Sequence, residues 1–290
     1  MPWHRIGVVG GGTMGQGIAE MLASQGLDVV LKEKTQKQLD HAITAIEISL
    51  DKQLEKWAIT HAEKRMILSK IHTVSSLEEM KHCELVIESI TEDLDEKKKL
   101  FKEMDAVLDE KVVLASNTSA LSLTELAGVT ERPERVIGLH FLHPVARIDL
   151  VEIIRGVQTS DDTYEKTSLF VKEDLSKKGI LVYESPGFVT TRLICVLINE
   201  ALHTLAEGVA SAKDIDSAMR IGYDFHNGPL EMCDRFGLDA VLAALEGMFR
   251  EFGDLKYRPS YLLKQMVRAG KLGVKTGEGF FKYDKDGDRL

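Results

Sequence analysis

The amino-acid sequence predicts an α/β protein in which an N-terminal doubly wound sheet is followed by a smaller all-α C-terminal domain. Three observations carry this prediction. Short apolar runs alternate with amphipathic stretches up to about residue 182, the pattern of βαβ units around a parallel sheet. A glycine cluster follows the first apolar run directly. Past Ser185-Pro186-Gly187 the strand-like runs stop and helical periodicity takes over, which puts a domain boundary near residue 185 and gives domains 1–185 and 186–290.

In chain order, residues 5–9 read as a strand and 13–25 as a helix stopped by Gly26. Residues 29–31 form the next strand and 36–56 a long polar-faced helix, and Thr60-x-x-Glu63 is a capping box that opens another helix. Strands are expected at 85–88 and 112–115, and between them lies a charged helix with Leu94, Phe101 and Leu108 seven residues apart. Strands at 135–141 and 150–154 follow, then a helix at 171–178 and a late strand at 180–182. Pro186 suits a first helical turn, so the second domain reads as helices 188–207 ended by Gly208, 212–221 ended by Gly222, and 239–252.

Composition narrows the function classes. With 290 residues, 44% of them hydrophobic and 29% charged, the chain is of globular type and can bury a large core. A net charge of −9 argues against a nucleic-acid partner, which would require Lys and Arg to neutralise phosphates. Cys83, Cys195 and Cys233 show no CxxC spacing, so they read as reduced, buried thiols of a cytoplasmic protein. The run Ile6-Gly7-Val8-Val9 reads as a buried strand rather than a signal peptide. No apolar run approaches the roughly 20 residues that span a bilayer, so no membrane role is expected.

Gly10-Gly11-Gly12-Thr13-Met14-Gly15 fits G-x-G-x-x-G between a strand and a helix. The first glycine makes the turn, Gly12 admits a pyrophosphate close to the backbone, and Gly15 lets the helix approach the strand. Helix N-terminal amides, those of Thr13 and Met14 among them, would face the anion. An acid is expected about 20 residues on, and Glu33 stands there after Val29-Val30-Leu31-Lys32. A carboxylate accepts both ribose hydroxyls and repels a 2′-phosphate, which favours NAD over NADP, although Lys32 and Lys34 soften that repulsion. Methyltransferases and flavin enzymes use similar turns; the later residues discriminate against both.

Those residues are Gly138-Leu139-His140-Phe141-Leu142-His143-Pro144 and Leu150-Val151-Glu152-Ile153-Ile154. If a loop centred on Ala146 joins two antiparallel strands, His140 and Glu152 lie six residues either side of it and become cross-strand neighbours. A histidine backed by a carboxylate can act as general base, the acid fixing its tautomer. His140, His143 and Glu152 could instead ligate a metal. Oxidation of an alcohol by a dinucleotide needs only a base and oriented donors, so His140 reads as a base and no metal is expected.

At this point the chain resembles the short-chain L-3-hydroxyacyl-CoA dehydrogenases, including the 3-hydroxybutyryl-CoA dehydrogenases. The similarity runs nearly end to end: residues 10–19 (GGGTMGQGIA), 88–97, 116–122 (SNTSALS), 140–152, 185–188 (SPGF), 228–239 and 275–283 (KTGEGFFKY). The resemblance implies reversible NAD-dependent oxidation of an L-3-hydroxyacyl-CoA, with His140 as base, Glu152 as its partner and Ser119 at the substrate's 3-oxygen. It implies that Glu92, Lys97 and Lys275 line the NAD site and that Ser49 and Lys56 contact coenzyme A. Lys52 and Lys56 share one helical face and would supply cations for its phosphates. Two positions depart from the family: His143 and Thr191 stand where it carries Asn, near the reacting carbon or the nicotinamide. Either can still donate a hydrogen bond, but the charge of His143 is expected to vary with pH near neutrality. Asp149, where many relatives carry Lys, reads as a surface change.

Residues 189–205 are apolar nearly all round, so this helix is expected to be buried. In the resembling family the helical domain forms a dimer interface, which implies a homodimer. Two rivals follow from the same residues: a dehydrogenase of a free hydroxy acid (a sugar acid or carnitine), and a non-catalytic NADH-binding protein of the lens-crystallin kind. Ser49 and Lys56 argue for CoA, and His140, Glu152 and Ser119 argue for catalysis.

Overall fold

Residues 3–290 are described by the computed structural model, and the sheet that organises its first part grows outward from the earliest strand. β1 (Arg5–Val9) is flanked by β2 (Asp28–Lys32) and β4 (Leu85–Glu88), with β3 (Ile71–Val74) beyond β2. β5 (Val113–Ser116), β6 (Val136–Phe141), β7 (Leu150–Arg155) and β8 (Lys178–Tyr183) continue past β4, so the eight strands run β3-β2-β1-β4-β5-β6-β7-β8. β1 to β6 are mutually parallel, β7 is antiparallel to β6, and β8 is parallel to β7. The central strands carry continuous apolar runs because both faces are covered, and every residue of β4, β5 and β6 is buried.

The connections build the rest of the layer. α1 (Thr13–Ser24), α2 (Gln36–Glu55) and α3 (His61–Ser69) pack Ile18, Leu22, Ala42, Ile46, Leu50 and Ile67 into one core with Ile6, Val8, Val29 and Leu31 of the sheet. Leu39, Ala42, Ile46 and Leu50 recur three and four residues apart, so one stripe of α2 is buried. Thr60 and Glu63 form the expected capping box of α3. α4 (Leu94–Val107), α5 (Leu123–Ala127) and α6 (Asp161–Leu169) complete this unit, which ends at Glu184. The chain runs from β1 outward to β3 and returns to β4, so the strand order reverses between β1 and β4. Ligands of open α/β sheets bind beyond the carboxyl ends of the strands at such a reversal.

A second unit, Ser185–Leu290, is helical: α7 (Thr190–Ala206), α8 (Ala212–Tyr223), α9 (Pro229–Phe236), α10 (Leu238–Phe252) and α11 (Tyr261–Arg268). Its core joins Ile198 and Leu202 of α7 with Leu230, Leu238, Leu245, Met248, Tyr257 and Leu263. Asp216 accepts the Leu230 and Glu231 amides at 2.9 and 3.0 Å, capping α9 from a neighbouring helix. Asp234 accepts the Phe280 and Phe281 amides and the Tyr283 hydroxyl, each at 2.9 Å, and so ties down the C-terminal segment. Among the described residues no helix is long and apolar enough to cross a membrane.

Several expectations need correction. The helix expected at 171–178 lies earlier: Ser160 caps α6, Asp161 and Asp162 suit its first turn, and a π turn (Phe170–Asp174) follows it. Lys178 belongs instead to β8, where it pairs with Leu150. Pro186 is not in a helix; Gly187 and Phe188 have φ of +77° and +49°, and α7 begins only at Thr190. α8 passes through Gly222 and stops at Asp224, whose φ is +57°. α7 is not buried all round: Leu193 is 68% exposed, while Cys195, Ile198 and Leu202 are buried. β3, α5, α9 and α11 had no counterpart in the sequence reading, each being shorter than the window of about 11 residues over which a hydrophobic period can be read.

Candidate active site

Five loops meet the carboxyl edge of the sheet, those after β1, β2, β4, β5 and β6, and each supplies one part of the site. After β1, Gly10 turns the chain at φ +103°, and a Cβ there would lie 2.5 Å from the Ser89 carbonyl oxygen. Gly15 is pressed against the turn, since a Cβ would come within 1.8 Å of the Gly10 carbonyl oxygen. A Cβ on Gly12, by contrast, would meet nothing within 4 Å, and no side chain caps α1. Gly10 and Gly15 therefore serve the protein's own packing, and Gly12 faces open space at an uncapped helix N-terminus beside Thr13 and Met14. After β2, Glu33 accepts the Gly11 amide on Oε1 at 2.6 Å and the Lys34 amide on Oε2 at 3.1 Å. An uncapped helix start, open space above a glycine and a carboxylate locked beside it suit a pyrophosphate with its adjoining ribose. The residues present thus fit an NAD.

The loops after β4 and β5 are joined by a charge network that is buried at Glu88 and Lys97 and reaches the surface at Glu92. Glu88, the last residue of β4, is wholly buried and accepts Lys97 Nζ at 2.5 Å, Ser116 Oγ at 2.6 Å and the Ile90 amide at 2.7 Å. Lys97, on α4 and only 1% exposed, also pairs with Glu92 at 3.3 Å. Glu92 in turn accepts Thr118 Oγ1 at 2.5 Å, the Ser119 amide at 2.9 Å and Ser119 Oγ at 3.3 Å. Burial raises the Glu92 carboxyl, but Lys97 and the bonds from Thr118 and Ser119 outweigh it and hold the group below the usual carboxylate range. Glu92, Lys97 and Ser119 are therefore brought together, with Ser119 set by an ionised carboxylate.

The β6–β7 pair carries an imidazole and a carboxylate in contact. Cross-strand register places His140 opposite Glu152, as the loop symmetry predicts. His140 Nδ1 lies 2.6 Å from Glu152 Oε2, and the carboxylate is wholly buried. A carboxylate can only accept, so the proton sits on Nδ1 and the basic lone pair on Nε2. Asn117 of the neighbouring loop steadies the strand end by accepting the Phe141 amide at 2.9 Å on Oδ1. The loop after β6 is stapled by Lys177, whose Nζ donates to the Val145 and Ile148 carbonyls at 3.0 and 2.8 Å. Burial lowers the Lys177 ammonium below its usual range, and Asp149, 3.7 Å away, partly offsets it. His143, within this loop, is held below the usual imidazole range by desolvation even though its side chain reaches solvent. That corrects the expected titration near neutrality: His143 is neutral there, and its charge change moves to more acidic pH.

The remaining sequence-derived positions lie on other elements. Ser49 and Lys56 lie on α2 and at its C-terminal cap; Ser49 bonds the buried Glu20, and Lys56 is exposed. Thr191 occupies the first turn of α7 in the second unit. Lys275, in the same unit, is held by both carboxylate oxygens of Asp239 at 2.6 Å. Among the described residues no three His, Cys, Asp or Glu side chains converge as a metal-ligating group, and His140, His143 and Glu152 form none. The three cysteines are buried; desolvation pushes the Cys83 thiol up to about 11 and Cys195 up to about 12. Sequence reading missed Glu88, Asn117 and Lys177. Only Glu88 left a signal, a charge closing the otherwise apolar strand Leu85-Val86-Ile87.

Comparison with known proteins adds to this geometry. Residues 5–185 match the family model of the 3-hydroxyacyl-CoA dehydrogenase NAD-binding domain, and residues 187–283 that of the same family's C-terminal domain. The chain is 43% identical to a 3-hydroxybutyryl-CoA dehydrogenase of Clostridioides difficile, over 97% of this chain and 100% of the other. It is 37% identical to the human mitochondrial hydroxyacyl-coenzyme A dehydrogenase, over 96% of this chain and 90% of that protein. Among solved structures, the (S)-3-hydroxybutyryl-CoA dehydrogenase of Ralstonia eutropha superposes with a TM-score of 0.91 at 43% identity, covering 98% of this chain and all of the other.

Proposed function

The chain belongs to the 3-hydroxyacyl-CoA dehydrogenase family and is an NAD-dependent enzyme of that kind; we propose that it oxidises a short-chain L-3-hydroxyacyl-CoA, such as 3-hydroxybutyryl-CoA, to the 3-ketoacyl-CoA. The observation that carries the proposal is the 2.6 Å contact between His140 Nδ1 and the buried Glu152, at the edge of the sheet where the glycine turn opens.

Oxidation of the alcohol removes a hydride from carbon 3 and a proton from its oxygen. NAD, when bound, supplies the hydride acceptor. His140 takes the hydroxyl proton on Nε2, and Glu152 stabilises the imidazolium that results. Ser119, fixed by Glu92, holds the oxygen as its carbonyl character develops. Gly12, Thr13 and Met14 would receive the pyrophosphate on a turn shaped by Gly10 and Gly15, and Glu33 would accept the ribose hydroxyls and disfavour a 2′-phosphate. Glu92, Lys97 and Lys275 serve the nicotinamide side, Thr191 and His143 the substrate, and Ser49 and Lys56 the coenzyme A portion. In the reverse direction His140 returns the proton as the ketone is reduced.

The test is NADH formation with 3-hydroxybutyryl-CoA, with longer CoA thioesters and with free 3-hydroxybutyrate. The CoA thioester is expected to be used by far the best, with short chains favoured. Equal use of the free acid would remove CoA from the account, and no NADH from any thioester would remove catalysis. A homodimer is part of the same proposal, supported by exposed apolar side chains on the helical unit: Leu193, Ile221 and Tyr223 are 68%, 86% and 73% exposed. Light scattering is expected to give twice the chain mass at micromolar concentration, and a monomer there would refute this part.

A further inference from the structure

Trp57 follows the C-terminal cap of α2 and is unusual in two independent respects. Its backbone φ is +58°, in the left-handed region where glycine is the ordinary residue after a helix and a bulky side chain is strained. Its indole is 93% exposed. The backbone there is held in place, with the Trp57 amide donating to the Leu54 carbonyl and the Ala58 amide to the Gln53 carbonyl, both at 2.9 Å. A residue that strains its backbone and buries almost nothing adds neither core nor helix stability. What it does offer is an aromatic face open to solvent on a backbone held in place.

The surroundings indicate what that face receives. Ser49, Lys52 and Lys56 recur at spacings of three and four and line one side of the last two turns of α2, ending next to Trp57. Asp51, the nearest acid before Lys52, is engaged by Lys64 at 2.5 Å, so its charge is compensated. A flat, apolar face beside cations at a helix end suits an aromatic ring joined to phosphates. We propose that Trp57 is the platform on which the adenine ring of the CoA thioester stacks, with Lys52 and Lys56 taking the phosphates. This inference rests on the CoA reading above and assigns the nucleotide end of the substrate to Trp57. Every base has a π-face, and stacking on an aromatic side chain is sequence-tolerant, so the site recognises a purine handle and not the acyl group.

The test compares wild type, Trp57→Gly and Trp57→Phe on 3-hydroxybutyryl-CoA and on 3-hydroxybutyryl-pantetheine, which lacks the nucleotide. Glycine is at ease at the observed φ, so Trp57→Gly keeps the fold. KM for the CoA thioester is expected to rise roughly five- to fiftyfold in Trp57→Gly with kcat held within about twofold, while Trp57→Phe retains most of the affinity. KM for the pantetheine thioester is expected to be the same in all three. A second readout uses a Trp3→Phe background, in which Trp57 is the sole tryptophan: CoA alone should quench its fluorescence. An unchanged KM for the CoA thioester in Trp57→Gly, or no quenching, would overturn the stacking role while leaving the dehydrogenase reading intact. A wild type that uses the CoA and pantetheine thioesters equally would instead overturn the CoA reading, and the platform with it.

Discussion

Two stretches of the sheet's carboxyl edge build their parts of the site by opposite means. At β1 and α1 the important atoms are backbone amides, and the sequence serves them by leaving side chains out. At β6 and β7 the important atoms are at the ends of two side chains, and the sequence serves them by register: His140 opposite Glu152 and a closed hydrogen bond between them. The first arrangement is sensitive to any added atom. The second is sensitive to the identity of two residues and to whatever steadies their strands, as Asn117 does by holding the Phe141 amide. Binding and chemistry should therefore be separable by substitution.

The largest effect is expected at the side-chain end. His140→Gln and Glu152→Gln should each lower kcat by about 10²–10⁴, since a positioned base contributes that much, with NADH affinity within about twofold of wild type. If NADH binding fell together with kcat, the two regions would not be separable and the comparison would break. Next comes the network that joins them. Lys97→Met leaves the buried Glu88 carboxylate without its compensating cation, which should cost about 3–5 kcal/mol of folding stability. Chemical denaturation measures this, and a loss under about 1 kcal/mol would show that the pair is dispensable.

The glycine turn supplies a paired test. Gly15→Ala puts a Cβ 1.8 Å from a carbonyl oxygen, so the backbone must shift; overpacking of this kind costs about 1–3 kcal/mol, and both melting temperature and NADH affinity should fall. Gly12→Ala has open space in the protein and should leave the melting temperature unchanged while still weakening NADH, because its Cβ enters the ligand's space. Equal melting and equal NADH affinity for Gly12→Ala would place the pyrophosphate elsewhere. The smallest effect is expected at His143. Its folded-state pKa is depressed by desolvation, so the ring is already neutral above about pH 6.5, where free histidine would titrate. His143→Asn should therefore leave the upper part of the pH–rate profile unchanged and alter only its acidic limb. A change confined to pH 7–8 would contradict the depressed value.

These tests also mark what was legible in the sequence. The strand–turn–helix with Glu33 was readable because every determinant is local: a glycine spacing, a buried run before it and an acid at the next strand end. The His140–Glu152 pairing was readable for a related reason, since a short symmetric loop converts sequence distance into cross-strand position. The Glu88–Lys97 pair was not, because a strand end meets a helix face nine residues on only after α4 packs back against the sheet. Lys177 is more remote still, reaching from the segment before β8 to carbonyls of the β6–β7 loop. The helix expected at 171–178 went astray because Lys172-Glu173-Asp174-Leu175 has helical composition, while the cap that starts the real helix, Ser160, lies a full helix earlier. Trp57 could be seen as a residue but not as a surface, since neither its φ nor its exposure follows from its neighbours in the chain.

The central claim is that the imidazole backed by Glu152 is the group that takes the substrate's proton. A crystal structure of the enzyme with NADH and a 3-ketoacyl-CoA tests it most directly. His140 Nε2 should lie within hydrogen-bond reach of the 3-oxygen, about 2.6–3.2 Å, with Ser119 on the same oxygen. A ring turned away from that oxygen, or a different side chain bonded in its place, would contradict the account.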